Sequence, residues 1–173
     1  DKGIREFFMA ARKLYKKHGN VEFHVCGKPE PNLALGYNAE LINQEVESGN
    51  VVYHGHVNNI LQLMSTMDCV VLPSYREGTP RVLLEAACVG VFIITTDVPG
   101  CRDVVENEVN GLLCDVKSSD SLFYAMDSFY NLSNEQRLRH LTNGRKFIEI
   151  KYDEKIVVDR YWSVINRILN ENN

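Results

Sequence analysis

The sequence predicts an α/β domain: a Rossmann-like parallel sheet with helices on both faces. Three observations predict it. Strand-like and helix-like segments alternate along most of the chain. The segments "CVVLP" and "VFIITT" are continuous apolar runs, the pattern of strands buried on both faces, as parallel strands are. A length of 173 residues with 45% hydrophobic and 24% charged side chains suits one globular domain, spanning 1–173, that needs neither disulfide nor metal to hold a core.

Each element has its own signal. "IREFFMAARKLY" repeats apolar positions at helical spacing, with basic residues on the other face, and Gly19 ends that helix. "VEFHVCG" reads as a strand closed by glycine, and "KPEPNLALG" as a loop by its prolines. "NAELINQEVESG" is a polar amphipathic helix, "VVYHG" a short strand, and "NNILQLMSTM" a helix. "CVVLP" and "VFIITT" follow as buried strands, and "GLLCD" is a short further candidate. From about residue 118 the pattern is helical, with breaks near Ser133 and Tyr152 and a final helix at about 153–171. A doubly wound domain normally opens on a strand. "DKG" stands where a strand would hand over to a helix, so the central first strand is expected to be absent from this sequence.

Composition narrows the function. A formal net charge of −4 argues against a dedicated nucleic-acid binder. Cys26, Cys69, Cys88, Cys101 and Cys114 are odd in number and without CxxC spacing, which suits reduced thiols in a cytoplasmic setting. Cys101, in a loop, is the one candidate reactive thiol. No stretch is long and apolar enough to span a bilayer, and no signal-peptide pattern opens the sequence. Asn131-Leu132-Ser133 matches a glycosylation triplet that is common by chance.

In a parallel α/β sheet, ligands bind outside the carboxyl ends of the strands, so the loops after Cys26, Tyr53, Leu72 and Thr96 share one working edge. The loop after Leu72, "PSYREGTPRVLLEAA", carries the richest chemistry. Thr79 is placed to cap a helix, with Pro80 at its first position, where the absent N–H costs nothing. The amides of Arg81, Val82 and Leu83 are then unpaired at a helix N-terminus, a ready anion site, and Gly78 has no side chain to block a ligand. Glu85 stands in a helix expected to be buried nearly all round. A carboxylate there needs partners. An internal salt bridge is one reading, and the paired hydroxyls of a ribose are the other. Glu77, in the loop, is either a solvated charge or a hydrogen-bonding group for the part of a ligand beyond its phosphates. Together these features describe a diphosphate flanked by two polar groups, which suits a sugar nucleotide.

The stretch "PSYREGTPRVLLEAACVGVFIITTDVPGCRDVVENEVNGLL", with "DKGI" and the "HGHV" turn, resembles the carboxyl-terminal half of retaining glycosyltransferases of family 4, which have the GT-B fold. The "TDVPGCRDVV" form looks most like bacterial enzymes of capsule and other surface polysaccharides. The resemblance implies that Glu77, the one catalytic assignment, contacts the donor sugar, and that Glu85 holds the ribose. The segment Gly78, Thr79, Pro80, Arg81, Val82 and Leu83 would cradle the diphosphate with Lys2, and Gly55, His56 and Val57 would lie near the base. It implies a nucleotide diphosphate sugar, most simply UDP-linked, as donor, with no cofactor or metal. The acceptor, a glycan or lipid-linked sugar, would bind an amino-terminal domain that this sequence lacks, so the isolated chain is expected to be inactive. The full-length enzyme is expected to be cytoplasmic, or peripheral at the inner membrane face.

Other residues stay open. Arg76, Arg81 and Arg102 are phosphate partners or structural bridges, and His54 with His56 makes a weak metal pair. The face formed by Ile156, Val157, Tyr161, Val164, Ile165 and Ile168 packs on its own domain or reaches a further one. Rival functions are a sugar-nucleotide epimerase, for which no acid–base pair is evident, and a non-catalytic module with no nucleotide affinity.

Overall fold

The computed structural model describes residues 1–28, 39–49 and 51–171. The loop expected over "KPEPNLALG" lies almost wholly outside them. Helix α1 (Ile4–His18) buries the stripe Phe7, Phe8, Ala10, Ala11 and Leu14. It starts after Gly3 and ends at Gly19, both in the left-handed region, and the Gly19 amide donates to the Tyr15 carbonyl. Strands β1 (His24–Cys26) and β2 (Val52–Gly55) pair in parallel around α2 (Ala39–Glu47). After α3 (Ile60–Met64), strands β3 (Cys69–Leu72), β4 (Phe92–Thr96) and β5 (Leu112–Cys114) form a second parallel sheet in that order. Between them run α4 (Arg81–Val89) and the single turn α5 (Pro99–Arg102). The chain continues through α6 (Ser119–Asn131), α7 (Asn134–Tyr152) and α8 (Glu154–Glu171).

The two faces differ in their cover. One hydrophobic cluster joins Phe8, Leu14, Val25, Phe92, Ile94, Leu122 and Met126, so α1 and α6 close one face. The other joins Met64, Leu83, Ala86, Ile93, Cys101, Val105 and Ile148, so α3, α4, α5 and α7 close the opposite face. Ile94 and Ile93 alternate between them, as strand neighbours must. This is the layered α/β architecture expected. All five residues of β4 are buried, which explains its unbroken apolar run.

Two expectations are corrected. Helix α5 was read as loop; its four residues are too short for a periodic signal, and Pro99 at its start is compatible with either state. On the apolar face of the last helix Ile156 is half-buried, but packing on its own domain does not continue along the described side chains. Tyr161, Trp162, Val164, Ile165 and Ile168 are 42–68% exposed. No helix among the described residues is long and apolar enough to cross a membrane.

Candidate functional site

The site forms where β3, β4 and β5 end, and α4 positions it. Leu83, Ala86 and Ala87 fasten α4 to the core, at spacings that fill one stripe. Its cap differs from the expectation. Pro80, extended at φ −72° and ψ 109°, is itself the N-cap, and no side chain caps the helix. Thr79 is exposed, one residue too early. The Leu83 amide donates to the Pro80 carbonyl at 3.0 Å, closing a tight first turn, so it is not free. The amides of Arg81 and Val82 donate to no acceptor among the described residues. The open helix end is thus narrower than three amides, but it is present. A side chain at Gly78 would meet open space, which leaves the approach clear.

Three cation–carboxylate pairs surround this end. Lys2 Nζ donates to Glu77 Oε1 at 2.6 Å. Arg76 donates to the Asp1 carboxylate at 2.8 Å, and Arg81 to Glu85 Oε1 at 3.4 Å. Glu85 is 29% exposed, not fully buried. The reason is its position: it flanks the Leu83–Ala86–Ala87 stripe, beside the half-buried Val82 and Val89, and Arg81 one turn back satisfies it. Glu77 is better buried, with its side chain 12% exposed, while Arg76 and Arg81 stand out in solvent at 84% and 88%. Three cations therefore sit within reach of a helix end that favours negative charge. Each is held by a carboxylate that an anionic ligand could displace.

The loop bearing Glu77 is held by residues to which the sequence reading gave no such supporting role. The Tyr75 amide donates to the Asp1 carbonyl at 2.8 Å. Gly3 lies so close to Pro73 that a Cβ would overlap the Pro73 carbonyl. From below, Gly100 packs against the loop, and a Cβ there would overlap the carbonyl oxygens of Glu77 and Gly78. Thr96 Oγ1 donates to the Ser74 carbonyl, and Thr95 Oγ1 to that of Leu72 at 2.8 Å. The buried Ser74 hydroxyl has no hydrogen-bond partner among the described residues. The only sequence trace of this support is the Thr95–Thr96 pair ending an otherwise apolar strand.

Other candidates lie elsewhere. Gly55 is left-handed at φ 61°, and the exposed His56 and half-buried Val57 follow it past the end of β2. No hydrogen bond or ion pair joins this turn to Glu77 among the described residues. His54 pairs with His24 rather than His56: the rings stack at 5.1 Å, with Nδ1 of His24 2.8 Å from Nε2 of His54. No cluster of three His, Cys, Asp or Glu among the described residues could hold a metal. Arg102 bridges to Asp97 at 2.7 Å, the structural reading. Cys101 is not the reactive thiol expected. It is fully buried with Thr95 Oγ1 3.1 Å from its sulfur, and burial pushes its thiol pKa up. Cys88 is the exposed one.

Residues 1–147 match the family model described as glycosyl transferases group 1. The chain is 31% identical over 169 residues to an N,N'-diacetylbacillosaminyl-diphospho-undecaprenol alpha-1,3-N-acetylgalactosaminyltransferase of Campylobacter jejuni, covering 97% of this chain and 42% of that protein. It is 31% identical over 173 residues to the capsular polysaccharide biosynthesis glycosyltransferase CapM of Staphylococcus aureus, covering 99% and 44%. The chain thus spans less than half the length of these relatives. Among solved structures it superposes on the C-terminal domain of a glycosyl transferase group 1 protein, LpcC of Francisella tularensis, with TM-score 0.76 and 26% identity, covering 88% of this chain and 80% of that one. The Anabaena protein Alr3699/HepE, solved in complex with UDP, shares the fold at TM-score 0.84 and 21% identity, over 96% of this chain and 45% of its own. The chain belongs to the group 1 glycosyltransferases, and its α/β fold is that of their carboxyl-terminal GT-B domain.

Proposed function

We infer that this chain is the donor-binding domain of a retaining glycosyltransferase that takes its sugar from a nucleotide diphosphate sugar, most simply a UDP-sugar. The observation that carries the reading is the open end of α4, with Gly78 clear above it and three displaceable cation pairs around it. In this reading the Arg81 and Val82 amides and Lys2 take the diphosphate. Fixed donors of this kind favour the charge that develops on the leaving diphosphate. Glu85 turns from Arg81 to the ribose hydroxyls, and Glu77 turns from Lys2 to the sugar. The Gly55–Val57 turn contributes to the base side. The donor needs no cofactor or metal here.

The acceptor is a glycan or lipid-linked sugar. That choice is supported by the Campylobacter relative, whose name specifies a diphospho-undecaprenol acceptor. The UDP bound by the Anabaena protein supports the choice of base. The acceptor is held outside this chain, on a further domain of a cytoplasmic or peripheral inner-face enzyme of polysaccharide assembly.

Calorimetry or ligand-observed NMR of this chain against UDP, GDP, ADP and UDP-sugars, with Glu85→Ala beside it, tests the reading. One nucleotide should bind with Kd near ~100 μM, about −5.5 kcal/mol, and the variant should lose it. Equal affinity in both proteins would remove Glu85 from the site. No binding by the folded chain, and none by one extended at its amino end, would favour the non-catalytic module, whereas binding gained with the extension would keep the donor reading.

A further inference from the structure

The single turn α5 is in contact at both of its ends. Near its start, Gly100 meets the loop of Glu77 from below, where a Cβ would overlap the carbonyl oxygens of Glu77 and Gly78. At its end, the Asp103 carbonyl accepts two hydrogen bonds, from Lys151 Nζ and from the Tyr152 hydroxyl, each at 2.8 Å. Both donors stand in the last turn of α7, 48 and 49 residues further along the chain.

The two contacts act on one stiff piece of backbone. The Cys101 and Arg102 amides donate to the Val98 carbonyl at 3.0 and 2.9 Å, and the Asp103 amide to that of Pro99 at 3.0 Å. Cys101, Val104 and Val105, each at most 1% exposed, press the turn into the core. Apolar packing has no direction of its own, so it resists lifting more than sliding. Carbonyls of a helical turn point along its axis toward the carboxyl end. Donors placed there oppose a slide along that axis, and such a slide would carry Gly100 along the Glu77–Gly78 backbone. The donors are themselves braced. Lys151 Nζ lies 5.1 Å from the centre of the Phe147 ring and 5.6 Å from that of Tyr152. Tyr152 packs at the margin of the cluster that holds Cys101 and Val105. Burial first, and the Asp103 carboxylate second, raise its phenol pKa, so it remains a donor at neutral pH.

We propose that Tyr152 and Lys151 are positioning residues of the candidate site: from the end of α7, through Asp103 and α5, they set where the Glu77–Gly78 backbone stands and so how the donor diphosphate fits. The link to the diphosphate rests on the donor-binding reading above. The link from Tyr152 to Gly78 rests on the contacts alone. If the two side chains merely satisfied an exposed carbonyl, their loss would be felt at α5 and no further.

The test uses the whole chain carrying Tyr152→Phe and Lys151→Met together. The first keeps the ring and its packing, and the second keeps most of the aliphatic stem. Thermal unfolding checks that the fold survives, and Tyr152→Phe alone is read in the same way if the pair does not fold. Amide resonances of Gly78 and Thr79 are compared by NMR with those of Ala11 and Val25, on distant elements, in the absence of ligand. Gly78 and Thr79 should shift while Ala11 and Val25 stay, and affinity for UDP should fall roughly threefold or more. Unmoved Gly78 and Thr79 resonances overturn the proposal. Shifts spread equally over Ala11 and Val25 do so too, because they mean general loosening. A shifted turn with unchanged UDP affinity overturns the positioning of the donor. If the unsubstituted chain binds no nucleotide, the donor reading falls, and the Gly78 resonance alone decides whether α7 sets the turn.

Discussion

Gly100 and Glu77 are bound together by what a single methyl group would do. The Gly100 Cα lies under the Glu77–Gly78 backbone, and a Cβ would overlap both carbonyls. Either the loop rises or α5 shifts. Gly100→Ala is therefore expected to cost about 1–3 kcal/mol by overpacking and, if the loop sets the diphosphate approach as proposed, to weaken UDP binding by roughly tenfold or more. Thermal unfolding and calorimetry check the two effects separately. A variant that loses stability but keeps full UDP affinity would show that the loop's height does not matter. By contrast a Cβ at Gly78 would meet open space, so in the proposed reading its role is clearance rather than conformation. A different carboxylate, Glu45, is the fully buried one. At 1% exposure it is held by Arg12 from α1, and its place in a polar helix gave no sign of it.

At the scale of elements, α1 and α6 are clamped by charge as well as by packing. Asp127 on α6 accepts from Lys17 at 2.7 Å and lies 2.7 Å from His18 Nε2. The Lys17 hydrogen bond first, and the His18 contact second, hold its carboxyl below the ordinary value of 3.8. A carboxylate with a lowered folded pKa takes up its proton later than in the unfolded chain. The stability it adds is complete above about pH 4–5 and drains as the pH falls through the unfolded and then the folded value. Asp127→Asn should cost about 1 kcal/mol near neutral pH and should flatten the acid side of the stability curve. Urea unfolding at several pH values measures both, and an unchanged acid slope would sink the clamp. The Ser133–Gln136 capping box at the start of α7 shows the opposite kind of element, one whose boundary was visible in the chain as the break near Ser133.

On the scale of the whole molecule, α8 stands apart. It exposes Tyr161, Trp162, Ile165 and Ile168 by 42–68%, and none of its described side chains joins either buried cluster. Deleting 154–173 should therefore move Tm by no more than about 3 °C and should reduce retention on a hydrophobic matrix. A large fall in Tm would show that the helix packs on its own domain after all. The surface it offers is apolar enough for a partner.

The α/β class was legible because burial on both faces writes itself as uninterrupted apolar strands, as in Phe92–Thr96. The loop after Leu72 stood out as the candidate site because glycine, proline and carboxylates at fixed spacing have few other uses together. Elements with short-range signals, such as α1 with its terminal Gly19, came out nearly whole. What depended on distant neighbours did not. The exposure of Glu85 depends on which stripe of α4 meets the sheet, and the burial of Cys101 on the Thr95 beside it. The cap fell to Pro80, whose backbone is extended, rather than to Thr79, against residue preference. The support from Asp1, Gly3 and Gly100 joins residues far apart in sequence largely by backbone contact. Such contacts leave no side-chain pattern, so only the tertiary structure decides them. By itself the sequence determined what kind of layers form and where their chemistry gathers. The packing determined which groups that chemistry can use, because burial and pairing are properties of neighbours in space.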